Sequence, residues 1–340
     1  MICSHTVAER IGAAVDGAWS APHDHGCGQI GADRDQTQRT FVGVGANPNV
    51  TGTVVVGLGC ETIQSDDVAA ELRARGVPVR RTTIQEAGGT EACFEEGVSA
   101  AEELRSGAVA DERADMALED LTVGIVASDL RPSSLERADP LVGAVVEELV
   151  ETGVSVVVGA TDRVLPHENA VRADLATDDA REGMAALVER ARSEPPRVTS
   201  ARSRATETEY EQVAALWGRL PVRDVLRYAD PATHEGGVAL MDAPSSFAEA
   251  ATGLVAAGAQ VLIHVTADGI PTGHPVAPVL KVTGDDDTYS ALAQDIDIHA
   301  GRTSPAELLE ELVAVLNGAP TCAETHGVTT FGITRAGPSM

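Results

Sequence analysis

The side chains best suited to chemistry gather near the N-terminus of this 340-residue sequence. The stretch PHDHGCGQ (22–29) sets His23, His25 and Cys27 beside two glycines. Cys3 precedes it; Cys60, Glu61, Gln85, Glu86, Gly88 and Gly89 follow. Imidazole, thiolate and carboxylate together suit a borderline divalent metal such as iron, manganese or zinc. A metal of that kind acidifies the C–H beside a carboxylate and helps a hydroxide leave. A cysteine–histidine nucleophile pair is the other chemistry open to these residues. The plainer reading keeps Cys3 and Cys60 as small core residues and Glu61 as a cap for the following helix.

These groups matter only if the fold gathers them. Around them, β-branched runs alternate with amphipathic helical patterns. TGTVVVGLG (51–59) reads as a buried strand, DDVAAELRARG (66–76) as a helix closed by Gly76, VPVRRTTI (77–84) as a strand and 90–107 as a helix. A very short initial strand and GAWSA are read as two more strands. Four strand ends would then deliver Cys3, the His23–His25–Cys27 cluster, Cys60–Glu61 and Gln85–Glu86 to one edge, where parallel sheets bind ligands. Gly88 and Gly89 would bring backbone N–H groups toward an anion. The alternation restarts after a charged segment (105–120), with strands at 121–128, 154–160, 238–244, 259–266 and 277–283 and helices at 140–151, 178–192, 246–257, 287–294 and 304–317. The fold class is therefore α/β, two Rossmann-like lobes with parallel sheets flanked by helices. The lobes span about 1–110 and 118–318, and 319–340 form a tail without a clear element.

Composition excludes several classes. A net charge of −27 repels nucleic acid and anionic membranes. Acidic residues spread along the chain, with Lys281 the only lysine, fit a surface adapted to high salt. No apolar run is long enough for a membrane span. The N-terminus lacks the basic and apolar regions of a signal peptide, which points to the cytoplasm. Five cysteines without C-x-x-C spacing argue against a disulfide framework or a zinc finger. The glycine pairs of GVGANPNV and VVGLGCE fall short of a dinucleotide fingerprint, and no G-x-S-x-G elbow is present. Trp19 and Trp217 read as packing residues, His264 as a satisfied core histidine, and His274 as a residue near a cleft.

PHDHGCGQ, RTFVGVGANPNV, VVVGLGCETIQ and IQEAGGT resemble the main domain of the altronate dehydratase and galactarate dehydratase family. VALMDAPSSFAEAATGLVAAGAQVL, APVLKVT and DIDIHAGR resemble its C-terminal half, so the likeness covers residues 2 to 302 in collinear order. The resemblance implies a dehydratase that turns sugar acids into 2-keto-3-deoxy acids with a divalent metal, iron or manganese. A related branch removes sulfite from sulfolactate. Cys3, His23, Cys27, Cys60, Gln85, Glu86, Asp242, Asp295 and Asp297 fall on family positions. The resemblance makes these site candidates without assigning roles; from their chemistry, Cys27, His23 and Glu86 are the catalytic candidates. Cys3, His25 and Cys60 are the metal candidates, and Gln85, Gly88, Gly89, Arg202 and Arg204 the substrate-binding ones. Many members carry a small additional N-terminal domain, and the resemblance implies that a separate small subunit supplies it here. A homo-oligomer is expected by the same analogy.

The C-terminal half departs from the pattern. VASDLRP (126–132) stands where members read Lys-Cys-Gly-Gly-Ser-Asp-Gly. GATDR (159–163) replaces a glutamate-rich segment, VTADG (265–269) lacks the usual arginine, and an arginine-rich stretch (197–209) replaces an Asn-Lys loop. Dehydration needs a base for the α-proton and an acid for the departing hydroxyl. Asp129, His167 and Glu168 are conceivable substitutes, with Arg202 or Arg204 gripping a carboxylate, although each reads more readily as a surface or linker residue. The competing readings are a catalytically degenerate binder or regulatory partner, and a carbon–sulfur lyase or hydrolase on the same scaffold.

Overall fold

The computed structural model describes residues 2–23, 25, 28–107, 116–193 and 199–336, apart from the side chains of Ile2 and Cys3. Two compact units divide the chain, residues 1–115 with 335–340, and residues 116–334.

In the N-terminal unit, β1 (Thr53–Gly57) and β2 (Val79–Thr83) pair in parallel, Thr53 opposite Val79 and Gly57 opposite Thr83. Four longer helices cover them: α1 (Ile2–Ala14), α2 (Gly31–Gly45), α3 (Ser65–Ala74) and α4 (Thr90–Gly107). Alternation along β1 sends Val55 toward the cluster of Val42, Val68, Leu72 and Val79, on the side of α2 and α3. It sends Val56 toward Val7, Ile11, Ile84 and Cys93, on the side of α1 and α4. Two expected strands are absent. Residues 2–14 are helix and 18–23 carry no regular structure. The reason is the spacing of Val7 and Ile11, one turn apart on the face that meets α4. A Cβ on Gly97 of α4 would lie 2.2 Å from Ile11 Cδ1, so the glycine permits this approach. Two strand ends, not four, therefore form the edge.

The C-terminal unit is a seven-stranded parallel sheet in the order β5-β6-β4-β3-β7-β8-β9. Its strands are β3 (Thr122–Ala127), β4 (Ser155–Gly159), β5 (Val222–Leu226), β6 (Gly237–Met241), β7 (Val261–Val265), β8 (Val279–Thr283) and β9 (Ile298–His299). Its main helices are α5 (Asp139–Glu151), α6 (Asp178–Ser193), α7 (Ser200–Glu207), α8 (Phe247–Ala256), α9 (Pro305–Leu316) and α10 (Cys322–His326). β5 and β9 lie outside the expected strands, and α7 and α10 fall in segments expected to be linker and tail. β5 escapes the periodicity because Arg223 and Asp224 interrupt it at a sheet edge. β3, β4, β6, β7 and β8 are buried on both faces, which accounts for their near-continuous Val, Ile and Leu runs. Val123, Ile125, Val156, Val158, Ile263 and Leu280 face the core shared with α5 and α9. α8 packs on the opposite face against β3 and β4. Chain order runs from β3 to β4 on one side, while β7 enters on the other. The topological switch point thus lies between the C-terminal ends of β3 and β7. No helix among the described residues is long and apolar enough to cross a membrane.

Candidate active site

In the N-terminal unit, β1 and β2 end side by side. The loop after β1 is shaped by Glu61, a buried carboxylate that accepts from the backbone N–H of Leu58 and, at 2.8 Å, of Gly59. Burial pushes its carboxyl up, but these backbone donors and the Ser4 hydroxyl outweigh that and hold it below the usual range. Glu61 is therefore an anionic clasp for its own loop rather than a cap for α3, whose N-cap is Gln64. Ser4 sits in the first turn of α1, so the clasp also fixes the start of that helix. The Cys3 backbone precedes it directly.

The clasp leaves Cys60 exposed with a free thiol. Gln85, exposed after β2, donates its backbone N–H to the Leu58 carbonyl at 3.1 Å. Gly59 has φ +117°, and a Cβ there would meet Gln85 Oε1 at 2.7 Å, so only glycine lets the two loops touch. Glu86 is exposed and pairs with Arg81 Nη2 at 2.7 Å, while Arg81 Nε holds Asp66 at 2.8 Å. The expectation for Gly88 and Gly89 needs correction. Both amides turn back onto the Ile84 carbonyl and close a turn with positive φ, so they are not presented to an anion.

His23 belongs to a second group beside α2. Its Nε2–H donates to Gln29 Oε1 at 2.8 Å, and the buried Gln29 amide donates to Thr37 Oγ1 at 2.7 Å. Burial holds His23 below its ordinary value against the pull of the Gln29 bond, so the ring is neutral near pH 7. Its edge meets Phe41 and His25, with ring centroids 5.8 and 5.7 Å away. His25 itself is exposed. Cys27 lies outside the described residues, as does the side chain of Cys3. Among the described residues, no three His, Cys, Asp or Glu side chains converge as a metal shell. Cys60 and His25 are solvent-facing, and Glu61 is spent on backbone. The described donors do not by themselves fit a metal.

In the C-terminal unit, the substitutes expected for acid–base work are occupied. Asp129 is buried and accepts from Ala267 N (2.7 Å), Ser134 Oγ (2.7 Å) and Arg131 N (3.1 Å), tying the loops after β3 and β7 together. His167 donates to the Ala205 carbonyl at 2.9 Å, and Glu168 pairs with Arg172 and Arg192. Arg163, which stands where the family pattern has glutamate, is buried against Asp139 at 2.7 Å and donates to the Asp129 carbonyl. Asp242 accepts from Thr161 Oγ1 and Arg190 Nε, each at 2.7 Å. Arg202 and Arg204 lie on α7, which packs against residues 161–164 beyond β4, at half-buried positions. His274 is buried rather than cleft-facing. Val276 N donates to its Nδ1, its Nε2 bonds Thr252, and burial pulls it down to about 3. Trp217 is fully buried, whereas Trp19 is 36% exposed and only partly a packing residue.

A group that sequence reading passed over lies at the β3–β7 switch point. The half-buried Ser128, first after β3, forms a 2.6 Å hydrogen bond with His264 Nε2 on β7. His264 stacks on Phe247 at 4.3 Å and is the register partner of Lys281 on β8. Lys281 is fully buried with Nζ 3.7 Å from Asp297, whose other oxygen accepts the Cys322 N–H at 2.7 Å. The sequence signals for it are a lysine standing alone in an apolar strand, a core histidine and Asp297 on a family position, with nothing to say that they meet.

A family profile described as D-galactarate dehydratase/altronate hydrolase, second domain, matches residues 1–109. A D-galactarate/altronate dehydratase C-terminal profile matches 214–339. The (2R)-sulfolactate sulfo-lyase subunit beta of Chromohalobacter salexigens is 28% identical, over 98% of this chain and 90% of that protein. The altronate dehydratase of Bacillus subtilis is 26% identical over 88% of this chain and 62% of its own length. That of Escherichia coli is 24% identical over 96% and 69%. This chain belongs to the D-galactarate dehydratase/altronate hydrolase family.

Proposed function

We propose that the protein is a lyase that eliminates water from a small hydroxy carboxylate of the sugar-acid class, such as altronate or galactarate. The observation that carries this reading is the strand-end edge of the N-terminal unit, inside the matched domain. There the Glu61 clasp fixes the loop that exposes Cys60 against Gln85. Elimination needs a group to accept the α-proton and another to protonate the leaving group. His23, neutral and oriented by Gln29, is our candidate acceptor, with Glu86 and Cys27 as the further catalytic candidates. A divalent metal such as iron or manganese is part of this reading, with Cys3, His25 and Cys60 as its candidate ligands; among the described residues no three donors converge to hold it. A cytoplasmic, salt-adapted protein and a companion subunit belong to the same reading, since one relative is itself named a subunit. A second reading, elimination of sulfite from sulfolactate, is favoured by that relative's match along 98% of this chain.

One experiment separates the two. The protein, prepared in high salt without oxygen and supplied with iron or manganese, is offered altronate, galactarate and sulfolactate. Keto acid from the first two supports the dehydratase reading, and sulfite from the third the sulfo-lyase reading. Loss of turnover in Cys60→Ser, with metal content followed in parallel, ties the chemistry to this edge, and loss in Cys27→Ser supports Cys27 as a catalytic residue. No product from any of the three, with the protein folded and loaded, favours a degenerate binder.

A further inference from the structure

We propose that Lys281, His264 and Ser128 form a one-way hydrogen-bond relay that makes the Ser128 hydroxyl a carboxylate-binding donor at the β3–β7 switch point. This deepens the reading above by naming how the C-terminal unit would hold a carboxylate of the hydroxy acid.

Two buried polar atoms, Lys281 Nζ and His264 Nδ1, have no hydrogen-bond partner. They belong to register partners on adjacent parallel strands, so the two side chains leave the same face of the sheet. An ammonium has only donors. Its complement on this face is a lone pair; His264 Nδ1 supplies one across the ring from Ser128, and since neither atom has a direct hydrogen-bond partner the link runs through one buried water. Asp297, 3.7 Å from Nζ, balances the charge but lies beyond hydrogen-bond distance. The Asp297 oxygens are already engaged, by the Lys281 N–H at 2.8 Å and the Cys322 N–H at 2.7 Å.

With Nδ1 as acceptor, a neutral imidazole must carry its proton on Nε2. The ring is neutral, since burial first and the Lys281 charge second pull it down to about 3. Phe247, stacked 4.3 Å away with rings 26° apart, fixes the ring plane. Nε2–H then donates to Ser128 Oγ across 2.6 Å. A hydroxyl that accepts from histidine has its own proton left to give. Ser128 is half-buried, unlike His264 and Lys281, and it stands where open parallel sheets bind ligands. Its proton is therefore available to an acceptor, and a carboxylate oxygen fits. In this scheme Ser128 touches the ligand, while His264 and Lys281 are positioning residues.

The relay has a signature independent of activity. In the full-length protein labelled with nitrogen-15 in histidine, two-bond proton–nitrogen spectra read the tautomer of His264. The expected result is the Nε2–H form from about pH 5 to 8. Nδ1–H, or a titration near 6.5, overturns the relay. Lys281→Met should admit the Nδ1–H form, and an unchanged pure Nε2–H spectrum in a folded Lys281→Met protein overturns the role of the lysine. Tartrate, a small hydroxy diacid, is the binding probe, with its uncharged diamide as control. Tartrate binding should weaken about tenfold or more in Ser128→Ala, with diamide binding weak in both proteins. Equal tartrate affinity with and without the hydroxyl, or no saturable binding to the parent protein, overturns the site. Ser128-dependent binding without turnover of any sugar acid would leave this inference standing and remove the lyase reading. Turnover with KM unchanged in Ser128→Ala would do the reverse.

Discussion

The two strand-end edges of this protein handle polar side chains in opposite ways. At the end of β1 and β2, Cys60, Gln85 and Glu86 face solvent, and one buried carboxylate, Glu61, is spent on holding their loop. At the end of β3, β4 and β7, charged groups are interred and joined to one another, Arg163 to Asp139 and Asp129 to three donors. The contrast follows sheet size. Two strands with a small core expose their edge, whereas seven strands covered on both faces can enclose charges if each finds a partner. It also shows that charged residues near these strand ends are paired internally. Arg163, in place of a glutamate, is neutralised by Asp139 rather than offered to a ligand.

The largest test removes one half of such a pair. Arg163→Met leaves Asp139 buried without its partner and should cost about 3–5 kcal/mol in urea unfolding, while Arg163→Met with Asp139→Leu should recover most of that. A cost below about 1 kcal/mol for the single change would erase the contrast. Acid comes next. His264 and His274 sit near 3 in the folded chain against 6.5 as the ordinary value, so the unfolded chain binds more protons below 6.5. Stability should be whole above pH 6.5 and fall as pH drops toward 3, by about 1.4 kcal/mol per unit for each histidine. Circular dichroism between pH 7 and 4 checks this, and replacing both histidines with glutamine should flatten the slope. Glu61→Gln replaces one of two accepting oxygens with an amide NH2, leaves one of the two backbone donors without its acceptor and should cost about 1–3 kcal/mol. It should also change the labelling rate of Cys60, which reacts ahead of Cys93, whose thiol is buried and pushed up, and Cys322, pushed up to about 11. Smallest is Glu86→Ala. Its exposed pair with Arg81 should contribute no more than about 1 kcal/mol, so a large loss of turnover with little loss of stability would mark Glu86 as chemical.

Several elements were legible because their signals are local. VVVG and VVVGA read as strands from β-branched runs, and α4 and α9 follow their helical periods within a residue or so. The first two expected strands failed because a short apolar stretch does not distinguish a strand from one face of a helix, and Gly97 on another helix decided the matter for α1. β9 was missed because two residues in a turn-like DIDIHAG carry no period.

Residue types and order alone established that this is an acidic α/β chain carrying the motifs of the sugar-acid dehydratases, because composition, period and motif are properties of neighbours along the chain. Only the tertiary structure decided that Gly88 and Gly89 spend their amides on a turn, that Asp129 is a clamp, and that Lys281 stands beside His264 under a helix. The clamp and the Lys281–His264 pairing depend on partners distant along the chain, and the glycine turn on backbone angles, none of which period or motif carries.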